Sequence, residues 1–328
     1  MIAENILIIG SNSFSGAAFR ASLPDKYKKH NVFRTSLPSD AFIQSNRTSS
    51  GDTYTQWNLN DDPKTIQNLI RENDIKTIVN FAAQSMVGQS WEKPEDWYEA
   101  NNVSFSRLLR LIAKEETVSK FIQFTTPEVY GSTDGWVKEN FHFAPTTPYA
   151  ISRAASDWHL KALYETFGFP VIFTRAANVY GEHQRLYRII PRVILSALTG
   201  RKVPLQGGGK SIRSFIHIED VCGALVRIME SGKLGESYHI STNELITIYE
   251  LVQLISIKLD VNIKDLVEMA PDRSGKDYAY QLDSQKIRGE LGWTEKISLD
   301  IGLDRTIKWV QDNLDELKNL SMDYEHKR

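Results

Sequence analysis

Residues 5–16 read N-I-L-I-I-G-S-N-S-F-S-G, a short apolar run that leads into a turn of glycine and serine. The run from Asn5 to Ile9 predicts a buried strand, and residues Gly16 to Leu23 predict a helix. Backbone amides and the helix dipole meet an anion where such a strand, turn and helix join. The stretch therefore predicts the opening βα unit of a dinucleotide-binding sheet. An alternative is that a polar residue of the turn only caps the helix.

Apolar runs alternate with amphipathic stretches through the first half of the chain. Further strands are predicted at residues 31–35, 77–83, 120–126 and 171–176, and helices at 62–73, 95–116 and 149–167. Alternation at this spacing is typical of repeated right-handed crossovers. The sequence therefore predicts the α/β class, with a Rossmann-type doubly wound parallel sheet.

The regular alternation of predicted strands and helices changes after Gly181. Predicted helices follow at residues 186–198 (despite Pro191), 219–229, 247–259, 284–291 and 298–317, with a strand at 214–218 and a glycine loop at 207–209. We predict a dinucleotide-binding domain at residues 1–181, with a returning segment near 213–240. A smaller, partly interleaved α/β substrate domain is expected at residues 182–328, and its polar last dozen residues are expected to be loose.

Composition narrows the class of protein. The 328 residues carry 39 Lys plus Arg and 41 Asp plus Glu, a formal net charge of −2, and 41% are hydrophobic. These values are ordinary for a soluble enzyme and argue against nucleic-acid binding by bulk positive charge. No run approaches the ~18 apolar residues of a membrane span. The one cysteine, Cys222, cannot form an internal disulfide or a cysteine–histidine zinc cage, so we expect a cytoplasmic protein without a metal.

Sequence motifs follow one another in a characteristic order. They are N-F-A-A-Q-S (80–85), F-T-T-P-E-V-Y-G (124–131), Y-A-I-S-R (149–153), R-A-A-N-V-Y-G (175–181), R-S-F-I-H-I-E-D-V (213–221), D-R-S-G-K-D (272–277) and G-E-L-G-W (289–293). Together they resemble the extended short-chain dehydrogenase/reductase family of nucleotide-sugar epimerases and dehydratases, most of all the dTDP-glucose 4,6-dehydratase type. The resemblance covers nearly the whole chain. It implies an NAD(P)-dependent lyase on a nucleoside-diphosphate hexose, and a homodimer paired through helices 95–116 and 149–167.

The resemblance also assigns the first chemical step. Such enzymes oxidise the hydroxyl on sugar carbon 4, and here Tyr149 would accept its proton with Thr126 as the hydroxyl partner. Arg153 lies four residues after Tyr149, on the same helical face, where the family has lysine. We expect its charge to favour the Tyr149 phenolate and its side chain to contact the nicotinamide ribose. The alternative is a surface arginine and a weak site.

The next step depends on Glu128, which the resemblance makes the base at carbon 5. The family's neighbouring acid, an aspartate, is replaced by Pro127, which has no proton to give. We expect Glu128 to take the carbon 5 proton and hand it to the departing carbon 6 hydroxyl. A 4-epimerase, a uronic-acid decarboxylase, or a catalytically weak regulator or scaffold are the alternatives. Glu128 as a mere cap of the turn is another.

The predicted cofactor contacts start in the glycine turn. It resembles the family's G-x-x-G-x-x-G turn, with Ser13 at the middle glycine. The predicted contacts are Gly10, Ser13, Phe14, Ser15, Gly16, Arg34, Asn58, Leu59, Phe81, Ala82, Ala83, Tyr149 and Arg153. Residues 32–37 contain no carboxylate for the adenosine ribose, whereas Arg34, Thr35 and Ser36 suit a phosphate. The cofactor is therefore NAD or NADP, with NADP slightly favoured.

Substrate contacts are expected mainly in the second half of the chain. By resemblance, Arg213 binds the sugar diphosphate and Asn178 contacts it. Arginine binds phosphate in bidentate fashion, so Arg185, Arg188 and Arg273 are further candidates. Gln84 and Ser85 are expected to line the sugar pocket. His217 lies in an apolar run and is expected to be a core histidine.

Overall fold

The structure, a computed structural model, describes residues 4–34, 42, 51–272, 275 and 277–326. The strands are β1 (Glu4–Ile9), β2 (Tyr27–Phe33), β3 (Thr53–Gln56), β4 (Thr77–Asn80), β5 (Lys120–Thr125), β6 (Trp136–Val137), β7 (Val171–Ala176), β8 (Asn178–Tyr180), β9 (Val203–Gln206), β10 (Ile212–Arg213), β11 (Phe215–His217), β12 (Ser237–Ile240), β13 (Ile246–Thr247), β14 (Val267–Ala270) and β15 (Gln281–Leu282).

The helices alternate with these strands in the first half and dominate the end of the chain. They are α1 (Phe14–Ser22), α2 (Lys64–Glu72), α3 (Pro94–Tyr98), α4 (Phe105–Ile112), α5 (Pro148–Phe167), α6 (Ile189–Thr199), α7 (Ile218–Ser231), α8 (Ile248–Lys258), α9 (Ile263–Leu266), α10 (Gln285–Leu291), α11 (Leu299–Asp312) and α12 (Leu314–Leu317). A π-helical segment (Glu99–Ser104) joins α3 to α4, and a one-turn 3-10 helix (Pro127–Tyr130) follows β5.

Seven parallel strands form the main sheet, in the order β12-β7-β5-β4-β1-β2-β3. The predicted doubly wound parallel sheet is confirmed. The strand order reverses direction between β1 and β4, and parallel sheets of this kind bind ligands beyond the carboxyl ends of the strands at such a point. The edge strands β3 and β12 are not in the prediction, since both are short and β3 is polar.

The two faces of β1 bury different layers. Ile6 and Ile8 pack on the side that holds α1 and α7, whereas Leu7 and Ile9 pack on the side that holds α2 and α4. All four side chains are almost fully buried because a parallel sheet is covered by helices on both faces. A third apolar cluster joins α6, α8 and α11 and gives the second half its own core.

Several predicted helix and strand boundaries differ from those in the structure. The predicted helix 95–116 is α3, the π segment and α4, and the predicted helix 298–317 is α11 and α12. Strand β2 begins at Tyr27, four residues before the predicted start. Pro191 lies in the first turn of α6, where its missing N–H removes no helical hydrogen bond. Single-sequence periodicity places elements better than it places their ends.

No helix among the described residues is long and apolar enough to cross a membrane. In the same residues, no three histidine, cysteine, aspartate or glutamate side chains come together as a metal site would require. His217 is fully buried and accepts a hydrogen bond from the Glu219 amide at the start of α7, and its other ring nitrogen lies 2.9 Å from Glu182. That burial agrees with the core role expected of it.

Candidate active site

One cavity of about 720 Å³ opens at the carboxyl ends of the main-sheet strands. It reaches from the β1–α1 turn to the third apolar cluster. The predicted site residues on its wall are Gly10, Ser13, Phe14, Ser15, Arg34, Asn58, Leu59, Phe81, Ala82, Ala83, Gln84, Ser85, Thr126, Glu128, Tyr149, Arg153, Asn178, Arg185, Arg188 and Arg213. Gly16 is not on the wall, and Arg273 lies outside the described residues.

The β1–α1 turn depends on glycine at two positions. Gly10 has φ +82°, and a Cβ there would lie 2.9 Å from the Ala82 backbone nitrogen. A Cβ on Gly16 would lie 2.2 Å from the Gly10 carbonyl oxygen. Gly16 therefore supports the turn from behind rather than facing the cavity. The close approach of backbone to backbone leaves the cavity side of the turn open, as a dinucleotide requires.

Ser13, which replaces the middle glycine, is the N-cap of α1. Its hydroxyl donates to the Gly10 carbonyl at 2.7 Å and accepts from the Gly16 amide at 3.1 Å. The capping alternative for this residue is therefore correct, and the turn still opens onto the cavity. The hydroxyl is already engaged inside the turn, so it does not point to a phosphate in this structure.

The end of β2 carries the residue expected to choose between cofactors. Arg34 is half-buried on the cavity wall, next to Trp57, Asn58 and Leu59. Its carbonyl accepts a hydrogen bond from the Gln56 side chain at 3.3 Å. Thr35 and Ser36, the other predicted phosphate contacts, lie outside the described residues.

Thr126 occupies the centre of the predicted catalytic group. It caps the 3-10 helix that follows β5, where Pro127 takes the first helical position. Proline fits that position because its φ is already helical and its missing N–H would be unpaired there. The Thr126 hydroxyl donates to a Glu128 carboxyl oxygen and also interacts with the Tyr149 phenol, whose pKa it lowers. One hydroxyl thus contacts both predicted proton-transfer groups.

Tyr149 is less acidic in this structure than its arginine neighbour led us to expect. Burial raises its pKa above the usual value, and the nearby Glu128 raises it further. Arg153 lowers the pKa, as expected, but burial outweighs this effect. The net effect is a raised pKa because removal from water penalises the phenolate more than one cation favours it.

Arg153 is buried one helical turn after Tyr149 on α5, so it is not a surface arginine. One of its terminal nitrogens donates to the Phe124 carbonyl at 2.6 Å. Its Nε is buried with no hydrogen-bond partner among the described residues. A buried donor left without a partner is costly, and other atoms of the Arg153 side chain line the cavity.

Glu128 faces cations across the cavity. Burial raises the pKa of its carboxyl group, while Arg213 and Arg188 lower it in part. A carboxyl group with a raised pKa holds a proton more readily near neutral pH and can donate it. The Glu128 carboxyl group therefore binds a proton more tightly than an exposed carboxylate does.

The Arg213 guanidinium is held by backbone carbonyls. It donates to Ile212 at 2.7 Å, to Tyr278 at 3.0 Å and to Asp277 at 2.8 Å. It also lies over the ring of Tyr280, 4.4 Å from the centroid. None of these partners is a carboxylate, so the positive charge is fixed in place on the cavity wall and remains available to an anion.

Sequence reasoning missed part of the wall. Tyr280 donates to the Asn178 side chain at 2.7 Å and is buried beside Arg213, and Asp277 and Tyr324 also line the cavity. The D-R-S-G-K-D motif ends at Asp277 and was the available signal for it. Tyr324 gave no signal, since it lies in a polar stretch that was expected to be loose.

Gln84 is positioned by the π segment. The Asn101 side chain accepts from the Gln84 amide at 2.8 Å and donates to the Gln84 carbonyl at 3.0 Å. It also lies 2.9 Å from the Ser152 hydroxyl on α5. Single π-helical turns recur at functional sites because the extra residue redirects a side chain. Here the redirected side chain fixes the backbone of a cavity residue.

Comparisons with known proteins agree with this geometry. Human dTDP-D-glucose 4,6-dehydratase is 32% identical over 97% of this chain and 93% of its own length. The dTDP-glucose 4,6-dehydratase DesIV from Streptomyces venezuelae, solved with NAD, is 29% identical and covers 95% of this chain and 98% of its own with a TM-score of 0.88. A Bacillus anthracis dTDP-glucose 4,6-dehydratase in complex with NAD is 31% identical, covers 96% and 99%, and has a TM-score of 0.86.

These comparisons confirm the predicted kinship and the predicted class of nucleotide-sugar 4,6-dehydratase-like enzymes. The protein-family model described as GDP-mannose 4,6 dehydratase matches residues 7–306. That span includes the glycine turn, the predicted catalytic residues after β5 and on α5, and Arg213. The chain belongs to the GDP-mannose 4,6 dehydratase family.

Proposed function

We propose that the protein converts a nucleoside-diphosphate hexose into its 4-keto-6-deoxy form with a nicotinamide dinucleotide that is regenerated in each turnover. The observation that supports this most is the meeting of Thr126, Glu128 and Tyr149 on one cavity wall with the glycine turn. A substrate of the dTDP-glucose type is the first to test, because that is what the named relatives act on.

The cavity suits the cofactor in two independent ways. The glycine turn leaves room for a pyrophosphate, and the Arg153 guanidinium on the same cavity wall offers donors for a ribose hydroxyl. When bound, an oxidised nicotinamide would supply an acceptor for the carbon 4 hydride, a donor for its return to carbon 6, and a positive charge at the site. Gly10, Phe14 and Ala82 would hold the dinucleotide, and Arg153 its nicotinamide ribose.

Protein groups move the protons. Tyr149 accepts the proton of the carbon 4 hydroxyl, helped by the Arg153 charge and the Thr126 hydroxyl. The resulting ketone acidifies the hydrogen on carbon 5, which Glu128 removes. Glu128 then protonates the hydroxyl that leaves carbon 6 as water. A single carboxyl group performs both tasks because Pro127 stands where a second acid would be.

Cations and aromatic rings at the far end of the cavity suit the substrate. Arg213 would bind the diphosphate, with Arg185 and the exposed Arg188 beside it and Arg273 as a further candidate. Asn178 and its partner Tyr280 would fix the sugar end, and Gln84 and Ser85 would line the hexose pocket.

The test is incubation with a panel of nucleotide sugars. We expect a 4-keto-6-deoxy product that absorbs in alkali. An inverted sugar would instead make the protein a 4-epimerase, and released carbon dioxide a decarboxylase. Cofactor binding without turnover would make it a regulator or scaffold.

Two variants test the assigned residues. Tyr149→Phe should abolish turnover with cofactor affinity nearly unchanged, since it keeps the aromatic ring and loses only the hydroxyl that transfers the proton. Glu128→Gln should stop solvent deuterium from entering carbon 5. Unchanged deuterium entry would exclude Glu128 as the base.

We also propose that the protein is a homodimer in the cytoplasm. Val103 in the π segment and Ile151 and Trp158 on α5 are large apolar side chains that are 40–47% exposed on neighbouring helices. Pairing through this face would bury them. Cys222 is a buried free cysteine, which fits a reducing compartment. Sedimentation of wild type and Trp158→Glu would test the dimer.

A further inference from the structure

A site with one carboxyl group needs a second source for the proton that carbon 5 receives at the end of the reaction. In the proposed reaction, Glu128 takes the carbon 5 proton and loses it with the departing water, so it is again a carboxylate. Hydride return to carbon 6 then requires a new proton at carbon 5. Tyr149 at that moment still carries the proton of the carbon 4 hydroxyl. The cycle closes if that proton reaches Glu128.

The Thr126 hydroxyl lies between these two groups. It donates to the Glu128 carboxyl group and interacts with the Tyr149 phenol. A hydroxyl has one proton to donate and two lone pairs to accept with, so it is able to accept from Tyr149 while it donates to Glu128. The Glu128 amide points to the same oxygen at 3.4 Å, and Pro127 stiffens the turn that holds both residues.

We infer that Thr126 relays the proton from Tyr149 to Glu128 and thereby lets one carboxyl group replace an acid–base pair. This inference rests on the proposed dehydration. The Tyr149 O–H bond breaks and its proton joins the Thr126 oxygen, while the Thr126 proton passes to the Glu128 carboxylate. Glu128 then protonates carbon 5. The site ends with a Tyr149 phenolate and a Glu128 carboxylate, as it began.

The proton balance needs no outside acid. The substrate loses the carbon 4 hydroxyl proton and the carbon 5 hydrogen, and the hydride of carbon 4 goes to carbon 6. The carbon 5 proton leaves in the water, and the carbon 4 hydroxyl proton arrives at carbon 5. The product and one water therefore contain every hydrogen of the substrate.

Two other groups near Glu128 are poorer sources. The Asp277 carboxylate accepts from the Thr146 hydroxyl at 2.9 Å, and the Asp277 carbonyl holds Arg213. The Tyr280 phenol already donates to Asn178. Burial strongly raises the pKa of that phenol, which makes it a weak acid. In the part of the chain that the structure describes, Thr126 interacts with both Tyr149 and Glu128, whereas the hydrogen bonds of Asp277 and Tyr280 go to other residues.

The experiment compares Thr126→Val, which has no hydroxyl, with Thr126→Ser, which keeps one. Each is made in the natural chain and with Pro127→Asp, which supplies a second acid. Single turnovers are followed by the absorbance of the reduced nicotinamide, and the quenched sugars are analysed by mass spectrometry.

In Thr126→Val we expect reduced nicotinamide to form, more slowly than in wild type because Thr126 also assists Tyr149, and product formation to fall by about 100-fold. The unsaturated 4-ketone, which has lost water but not regained hydride, should accumulate. Thr126→Ser should recover most of the product rate. In the Pro127→Asp background, Thr126→Val should regain product formation, because Glu128 then keeps the carbon 5 proton and returns it.

Other outcomes overturn the inference. If Thr126→Val fails to form reduced nicotinamide and Pro127→Asp gives no rescue, Thr126 assists only the first step. If Asp277→Asn rather than Thr126→Val accumulates the unsaturated ketone, Asp277 is the proton source. If the wild type forms neither reduced nicotinamide nor a 4-keto-6-deoxy sugar, the proposed function itself fails.

Discussion

Ser13 shows that the middle glycine of a dinucleotide-binding turn can be replaced while the turn stays open to the cavity. Its hydroxyl is engaged on both sides, by the Gly10 carbonyl and the Gly16 amide. We expect Ser13→Ala to lower the free energy of unfolding by about 1 kcal/mol and Ser13→Gly by only a few tenths. Denaturant unfolding of the three proteins measures this.

Cofactor titration separates capping from binding at Ser13. Because the hydroxyl is turned into the protein, Ser13→Gly should leave the cofactor dissociation constant within a few-fold of wild type. A large loss of affinity in Ser13→Gly, with stability unchanged, would mean that the hydroxyl reaches the phosphates instead.

Arg34 is the residue on which cofactor choice depends. The end of β2 offers a cation and no carboxylate, which favours NADP, whereas the solved relatives hold NAD. We expect Arg34→Asp to weaken NADP binding by tenfold or more, because a charge that pairs with the ribose phosphate becomes one that repels it. NAD binding should be nearly unchanged. Equal losses for both cofactors would remove Arg34 from the choice.

The raised pKa of Glu128 has a consequence for stability. A carboxyl group with a raised folded pKa destabilises the folded state once the unfolded chain ionises, above the ordinary value of about 4.5. Glu128→Gln should therefore raise the free energy of unfolding at neutral pH. The gain should shrink as the pH falls from the raised pKa to 4.5 and vanish below it.

Glu115 provides a control of opposite sign. Its hydrogen bonds with Arg71 lower its pKa, so the ionised form stabilises the folded state. Glu115→Gln should lose stability at neutral pH, and the loss should disappear as the pH falls through the lowered pKa. The same direction of change in both variants would contradict the two pKa shifts.

At the scale of elements, the π segment is the feature that most affects the site. Asn101 ties the Gln84 backbone to α5 through three short contacts. Asn101→Ala should cost about 1–3 kcal/mol of stability, since buried polar groups lose their partners. It should also raise KM for the sugar nucleotide, because the Gln84 loop is no longer fixed.

A variant of the neighbouring Asn102 separates the loss of stability from the rise in KM. The Asn102 side chain donates to the Ser152 carbonyl at 2.8 Å and to the Ser156 hydroxyl at 3.3 Å, both on α5. Asn102→Ala should therefore lower stability with KM nearly unchanged. Equal rises in KM for the two variants would show that loosening of α5, rather than of Gln84, is responsible.

Sequence patterns predicted the central strands better than the features that shape the site. The apolar runs of β1, β4, β5 and β7 are continuous because those strands are buried on both faces. Strand β3 is polar and half-exposed at the sheet edge, so it lacks that signal. The π segment keeps helical periodicity on both sides, and its extra residue is visible only in three dimensions.

At the scale of the whole molecule, the motifs predicted which side chains meet at the site but not the net direction of their pKa shifts. Thr126 and Glu128 follow β5, whereas Tyr149 lies in the first turn of α5, and the three meet because β5 ends and α5 begins at the same edge of the sheet. The net rise in the Tyr149 pKa could not be predicted, since it depends on burial by distant residues. Tyr324 likewise reaches the cavity only through tertiary packing.

The C-terminal segment, residues 321–326, is packed where the sequence predicted looseness. His326 stacks on Trp97 with ring centroids 4.9 Å apart and lies 2.9 Å from the Asp96 carboxylate. Tyr324 lines the cavity and packs edge-on against Tyr187, 5.3 Å between centroids. The segment therefore links the start of α3 to the substrate side of the cavity.

Removal of residues 321–328 should weaken ligand binding without unfolding the protein. An aromatic pair of this kind contributes about 0.5–1.5 kcal/mol, so dissociation constants should rise by up to about tenfold. His326→Ala keeps Tyr324 but loses the anchor on α3, and it should give a smaller rise. Fluorescence titration measures both. Identical affinities in wild type and the truncated chain would mean that the segment covers a surface the ligand does not use.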